Sequence, residues 1–233
     1  MLNEILTVAR KEILELAGKR GASRGPLIQA AVVMLVAGVL LPANPKAFSA
    51  PSAAILFYSL FASTLSANVA ADAFAGERER KTLETLLSTP LPDQAIVIGK
   101  VATAVLFAMT TIVASLVLAV VTLNLRSVSG GLFLPPPELF ATALAGALGA
   151  SLVTSGLAIA VSIRIPVARS AQQIASLGSM LIGGALAIAI DRLHLQLTWG
   201  VLLRIDLVLF ALGIFSVRMA ARSFHRERFF EAR

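Results

Sequence analysis

Long apolar stretches alternate with short polar ones along this chain, and the alternation predicts a helical membrane protein. A bilayer core about 30 Å thick needs roughly 20 apolar residues of helix. Six stretches answer to that pattern: Pro26–Leu41, Pro51–Ala75, Val101–Leu123, Leu139–Ile163, Ala171–Ile190 and Val201–Arg218. The first is short, with 15 residues between Pro26 and Pro42, so it borrows flanking residues or sits in a locally thinned bilayer. The last begins among charges, because Arg204 and Asp206 fall inside it. Ahead of the first stretch, Leu2, Ile5, Leu6, Ala9, Ile13, Leu16 and Ala17 recur at helical spacing among Glu4, Arg10, Lys11, Glu15 and Lys19. Residues 1–22 therefore read as an amphipathic helix lying along the membrane interface.

Composition agrees with this pattern: 57% of the 233 residues are hydrophobic, 14% are charged, and the mean hydropathy is +0.85. The net charge of +7 would suit a nucleic-acid binder, but its distribution points elsewhere. Sixteen of the 20 Lys and Arg residues fall in alternate polar segments, at 10–24, 78–100, 164–169 and 218–233. Only Lys46, Arg126 and Arg192 fall in the segments between. That is the positive-inside pattern, so both termini and the segment 76–100 are expected in the cytoplasm. Nucleic acid is not expected as a partner.

The catalytic chemistry is sparse. Cysteine is absent, and His194 and His225 lie on opposite sides of the expected membrane, so no metal site is expected. No paired carboxylates, HExxH or GxSxG pattern lies within the spans. In the second span Thr64, Asn68 and Asp72 stand four residues apart on one helix face, where they either line a pathway or hydrogen-bond to neighbouring helices. Asp191, Arg192, Arg204 and Asp206 cluster at the outer ends of the last two spans, as an outer gate contact or a structural ion pair. Ala141, Ala145 and Gly149 form a row of small residues that permits close helix approach, as do Ser179 and Gly183. The external connections 42–50, 124–138 and 191–200 are too short for a ligand-capturing ectodomain.

The stretch GERERKTLETLLSTPLPDQAIVIGK, residues 76–100, carries a compact block of charge between two spans. Leu83, Leu86 and Leu87 recur at i, i+3 and i+4, with Glu77 placed four residues before Lys81 for a helical ion pair. Pro90 ends this helix, and Asp93 is suited to cap the next one. An exposed short helix of this kind can anchor its leucines in a groove on a soluble partner, or rest them on the membrane surface.

The same residues resemble the motif of the type-2 ABC transporter permease family, the membrane subunits of ATP-driven exporters with a type V exporter-like fold. Glu77, Glu79, Thr82, Leu83, Glu84, Leu87, Pro90, Gly99 and Lys100 match it. Lys81 departs from it, since glycine often precedes the threonine. The resemblance implies one all-α transmembrane domain over residues 1–233, with six spans and both termini cytoplasmic. It also implies an amphipathic connecting helix at 1–22 and a coupling segment at 76–100. Glu77, Glu79, Thr82, Leu83, Glu84, Leu86, Leu87 and Pro90 would then engage an ABC ATPase, two per complex, beside a second permease copy or homologue. The location implied is the plasma or inner membrane of a prokaryote. The chain has no Gly-x-x-x-x-Gly-Lys-Ser/Thr loop, because Gly99-Lys100 lacks both the upstream glycine and the following hydroxyl. ATP and magnesium are accordingly expected on the partner, with no cofactor on this chain. A membrane scaffold that recruits a cytoplasmic protein without transport is the alternative, and the cargo is open.

Overall fold

The computed structural model describes residues 2–17, 25–43, 51–126, 134–165, 167–192 and 199–224. Among them the regular structure is entirely helical. The elements are α1 (Leu2–Ala17), α2 (Gly25–Leu35, continued by a π-helical turn Val36–Leu40), α3 (Pro51–Glu79), α4 (Leu83–Leu87), α5 (Asp93–Arg126), α6 (Pro137–Arg164), α7 (Ala168–Arg192) and α8 (Trp199–Ser223). Each of the six apolar stretches is helical. Among the described residues, Asp93–Arg126, Pro137–Arg164 and Gly200–Ser223 are long and apolar enough to cross a membrane, and Gly25–Leu40 is a shorter apolar helix.

Local chemistry sets several of the boundaries. Pro137 occupies the first turn of α6, where the missing N–H costs nothing and φ is already helical. The helix stops at Ile165, extended at ψ 123°, because the proline that follows disfavours the α region for the residue before it. The π turn at Val36–Leu40 is held from outside: Tyr58 Oη donates to Ala37 O at 3.0 Å and Thr122 Oγ1 to Gly38 O at 2.9 Å. These side chains serve carbonyls that Pro42, four or five residues further on and without an N–H, cannot.

α3 packs along α6, and α6 along α8, with α5 and α7 flanking α3. Two apolar clusters result. One lies at the end that carries α1 and α4, around Phe74, Ile96, Val97 and Ile159. The other, toward the opposite end, is built on Tyr58, Leu65, Ile112 and Leu116. Small hydroxyls stitch the contact between α3 and α6: Ser66 Oγ lies 3.0 Å from Thr154 Oγ1, and Thr154 Oγ1 also donates to Ser63 O at 3.1 Å. Large apolar side chains such as Leu106, Val117, Leu207 and Phe215 stay exposed, as on a surface made for lipid or for a second chain.

Close helix approach depends on missing Cβ atoms at a few positions. A Cβ on Gly149 would stand 2.8 Å from Leu209 Cβ, and one on Gly156 would stand 2.8 Å from backbone atoms of Ser216 and Val217. Packing within the chain therefore accounts for the glycine of the Ala141, Ala145, Gly149 row. Gly156→Ala should cost about 1–3 kcal/mol through forced separation of α6 and α8. Gly184→Ala, on α7 with nothing within 4 Å of its Cβ position, should gain up to about 1 kcal/mol of helix propensity. Melting temperatures of the purified variants in detergent check both signs.

Candidate functional site

The charged block splits into a helix end and a turn. Glu77, Arg78 and Glu79 complete α3, and α4 follows with only five residues. Consecutive residues of the block reach different elements. Glu77 Oε1 accepts from Lys11 Nζ on α1 at 2.9 Å and pairs with Lys100 Nζ on α5 at 3.1 Å. Arg78 Nη2 donates to Ile163 O at the C-terminal end of α6, at 3.2 Å, where a cation meets the negative end of the helix dipole. Glu79 Oε1 accepts from the N–H of Ala168 at 2.8 Å, placing a carboxylate at the positive end of α7. Arg80 turns back to pair with Asp72 at 3.3 Å.

Lys100 is the centre of this knot. Its side chain is fully buried and that of Glu77 is 2% exposed. An ammonium has three protons to give, and Lys100 Nζ has three oxygens around it: Glu12 Oε1 at 2.6 Å, Ala73 O at 2.9 Å and Glu77 Oε1 at 3.1 Å. The Phe74 ring lies beneath it, with its centroid 5.2 Å away. The ammonium groups of Lys11 and Lys100 balance the carboxylates of Glu12 and Glu77, and the exposed Glu15 adds a third carboxylate 3.2 Å from Lys11 Nζ. That balance makes burial tolerable, since an unpaired buried ion costs several kcal/mol. Burial alone would lower the Lys11 pKa, but the Glu77, Glu12 and Glu15 carboxylates outweigh it and hold the ammonium above the ordinary 10.5. Glu12, Glu15 and Glu77 bring their carboxylates close enough to hold a metal ion. The ammonium groups of Lys11 and Lys100 already supply the positive charge there.

Glycine makes the knot reachable. A Cβ on Gly99 would stand 2.7 Å from Val8 Cβ and 3.2 Å from Ile5 O, so α1 lies directly on the α5 backbone, with Val8 and Ala9 buried. Leu6, Ile13 and Leu14 remain exposed on the outer side of α1.

Two sequence expectations for this segment are corrected. Glu77 forms no helical ion pair with Lys81, because the chain leaves the helix between them and Lys81 adopts φ +58°. That left-handed conformation accounts for the glycine the family motif favours at this position. The leucine stripe does not face outward either. Leu83, Leu86 and Leu87 are buried in the cluster with Phe74, Ile96 and Val97, since a five-residue helix has no stability of its own and is held by packing. The outward face of the segment carries Lys81, Thr82, Glu84, Thr85, Ser88 and Pro90. Glu79 is exposed as well, apart from its bond to α7.

The polar face of α3 divides three ways. Thr64 donates to its own helix, at Leu60 O and Phe61 O. Asp72 pairs with Arg80, close against Gly76, where a Cβ would overlap its carboxylate. Asn68 bridges helices: Asn68 Nδ2 donates to Gln29 Oε1 on α2, and Ser176 Oγ on α7 donates to Asn68 Oδ1, each at 2.7 Å. This bridge crosses a cavity of about 620 Å³ that Arg169, Gln172 and Gln173 also line. The sequence reading missed Gln29, Arg169, Gln172, Gln173 and Ser176. Polar residues three or four apart near the start of α7 were the available signal. Asp191 and Arg192 end α7, and their side chains lie outside the described residues. Asp206 is buried and Arg204 exposed, with no ion pair between them among the described residues.

Removing one partner of the knot leaves a buried charge uncompensated. Lys100→Met and Glu77→Leu should each destabilise the chain by about 3–5 kcal/mol, with the double variant costing clearly less than the sum. Denaturant or thermal unfolding of the three proteins measures that coupling. Lys81→Gly should raise stability by about 1 kcal/mol through relief of the left-handed strain, read as an increase in melting temperature.

Among known proteins, a search of the curated ones gives no match to this chain. The family model described as ABC-2 type transporter matches residues 3–223, a range that includes the knot, α4 and the cavity. The chain belongs to the ABC-2 type transporter family, as the membrane permease component of an ABC transporter.

Proposed function

We propose that this chain forms the pathway of an ATP-driven exporter and couples it to hydrolysis on a separate ATPase. The observation that carries this reading is the placement of α4. Its leucines fix it to the core, and the Lys100 knot ties its base to α1, α3 and α5, so its polar outer face sits on a rigid mount. A force applied to Glu84, Thr85 and Ser88 reaches the ends of α3 and α5 and, through Arg78 and Glu79, the facing ends of α6 and α7. The complex contains two ATPases and two permeases, the second permease being another copy or a homologue. ATP and magnesium are held by the ATPases. The chain crosses the prokaryotic cell membrane six times with both termini and α4 in the cytoplasm, in line with the distribution of Lys and Arg.

Closure of the ATPases biases one of two helix packings, which is what coupling requires physically. The cavity between α2, α3 and α7 is the inner mouth of the pathway. Its polar lining suits a cargo carrying hydrogen-bonding groups, and the Gln29–Asn68–Ser176 bridge holds its walls together until they part. Glu77 and Glu79, assigned by the family resemblance to the ATPase side, act from within as positioning residues. Thr82, Glu84 and Pro90 stay on the contact surface.

Co-purification with the cognate ATPase tests this. Glu84→Lys and Ser88→Arg should weaken ATPase binding about tenfold, the equivalent of roughly 1.4 kcal/mol, with the permease still folded. Leu86→Asp should instead destabilise the permease itself, as expected for a charge forced into the core. Unchanged ATPase binding and turnover in both surface variants would overturn the reading, and stable binding without substrate-dependent turnover would favour a scaffold.

A further inference from the structure

α7 separates a cavity lined by several polar side chains from a groove that is almost wholly apolar. Its residues Arg169, Gln172, Gln173 and Ser176 face the polar cavity, while Ile174, Ala175, Gly178 and Ser179 line a groove of about 470 Å³ against α6 and α8. The groove is apolar along most of its length. Leu157 and Val161 of α6, Ile174 of α7 and Met219 of α8 form its walls, and Gly178 opens it, having no atom within 4 Å of a Cβ position. Arg164 stands at the end shared with α4, exposed and without a hydrogen-bond or ion-pair partner among the described residues.

The dimensions match one leaflet of a bilayer. From Arg164 to Thr154, the groove follows ten residues of α6, about 15 Å of helix, or half of a hydrocarbon core about 30 Å thick. A cation at the surface end with an apolar slot running inward from it is complementary to a phospholipid that has an anionic headgroup and an acyl chain. We propose that this groove binds one anionic phospholipid, its phosphate on Arg164 and an acyl chain along Leu157, Val161 and Met219. The bound lipid then packs on the opposite side of α7 from the polar cavity, so its presence bears on where α7 rests.

Native mass spectrometry of the full-length chain tests this, with protein released from nanodiscs of equal parts phosphatidylglycerol and phosphatidylcholine. The wild type should retain phosphatidylglycerol over phosphatidylcholine about fivefold, the size of effect one arginine exerts at an anionic surface. Arg164→Gln should lose that preference. Gly178→Leu, which fills space the fold leaves open, should retain neither lipid while melting no lower than the wild type. Equal retention of phosphatidylglycerol in all three proteins overturns the proposal. So does loss of lipid in Gly178→Leu with no change in Arg164→Gln, which would leave an unselective apolar slot. A lipid-free dimer that separates in Gly178→Leu also overturns it, by placing a second copy of the chain in the groove.

Discussion

An ammonium group buried where a membrane helix begins is the constraint around which the α4 end is arranged. Lys100 has no access to water, so its charge must be matched within the fold, and the matching groups come from α1 and α3. Electrostatics in a low-dielectric setting are unforgiving of partial solutions. The helix that carries Glu12 must dock, the end of α3 must stay helical through Glu77, and Gly99 must lack a side chain so that α1 can come near. Geometry that follows from one charge thereby specifies where α4 emerges and which way it faces.

Around that point the charged block works as a fastening. Glu77, Arg78, Glu79 and Arg80 follow one another in sequence, yet they bind α1 and α5, the end of α6, the start of α7, and Asp72. Successive residues on a helix point about 100° apart, and here each finds a different neighbour. A surface loop that merely needed solubility would not require this order of charges. The order ties several helix ends to one short segment.

Much of this was legible in the sequence, within a definite limit. Run lengths located the helices, the Lys and Arg distribution suggested an orientation, and the motif at Glu77–Lys100 identified the family. The leucine spacing at 83, 86 and 87 gave a stripe, but a stripe that faces the protein's own core has the same period as one that faces a partner. Spacing could not choose between them. Long-range pairs were equally invisible: Lys100 and Glu12 lie 88 residues apart, and Asn68 and Ser176 lie 108 apart. The polar face of α3 was found, yet its three members went to three fates: Thr64 and Asp72 are satisfied locally, and Asn68 meets helices that α3 itself does not encode. Lys81 is instructive in the other direction. Its left-handed φ explains the glycine that the family motif favours there, not the lysine that replaces it.

The π turn of α2 divides that helix into a part pinned through its backbone and a part tied through its side chains. Within the turn, Tyr58 and Thr122 fasten the backbone itself at two successive carbonyls, Ala37 O and Gly38 O. Toward Gly25, the amide pair of Gln29 with Asn68 supplies a polar attachment across the cavity, and such a bond between helices is worth about 0.6–2 kcal/mol. A thermal fluctuation of a few RT is enough to break it. The segment of α2 before the turn is thus tied to α3 by side chains and by the packing of Ala30 and Val33, while the turn itself is pinned through its backbone.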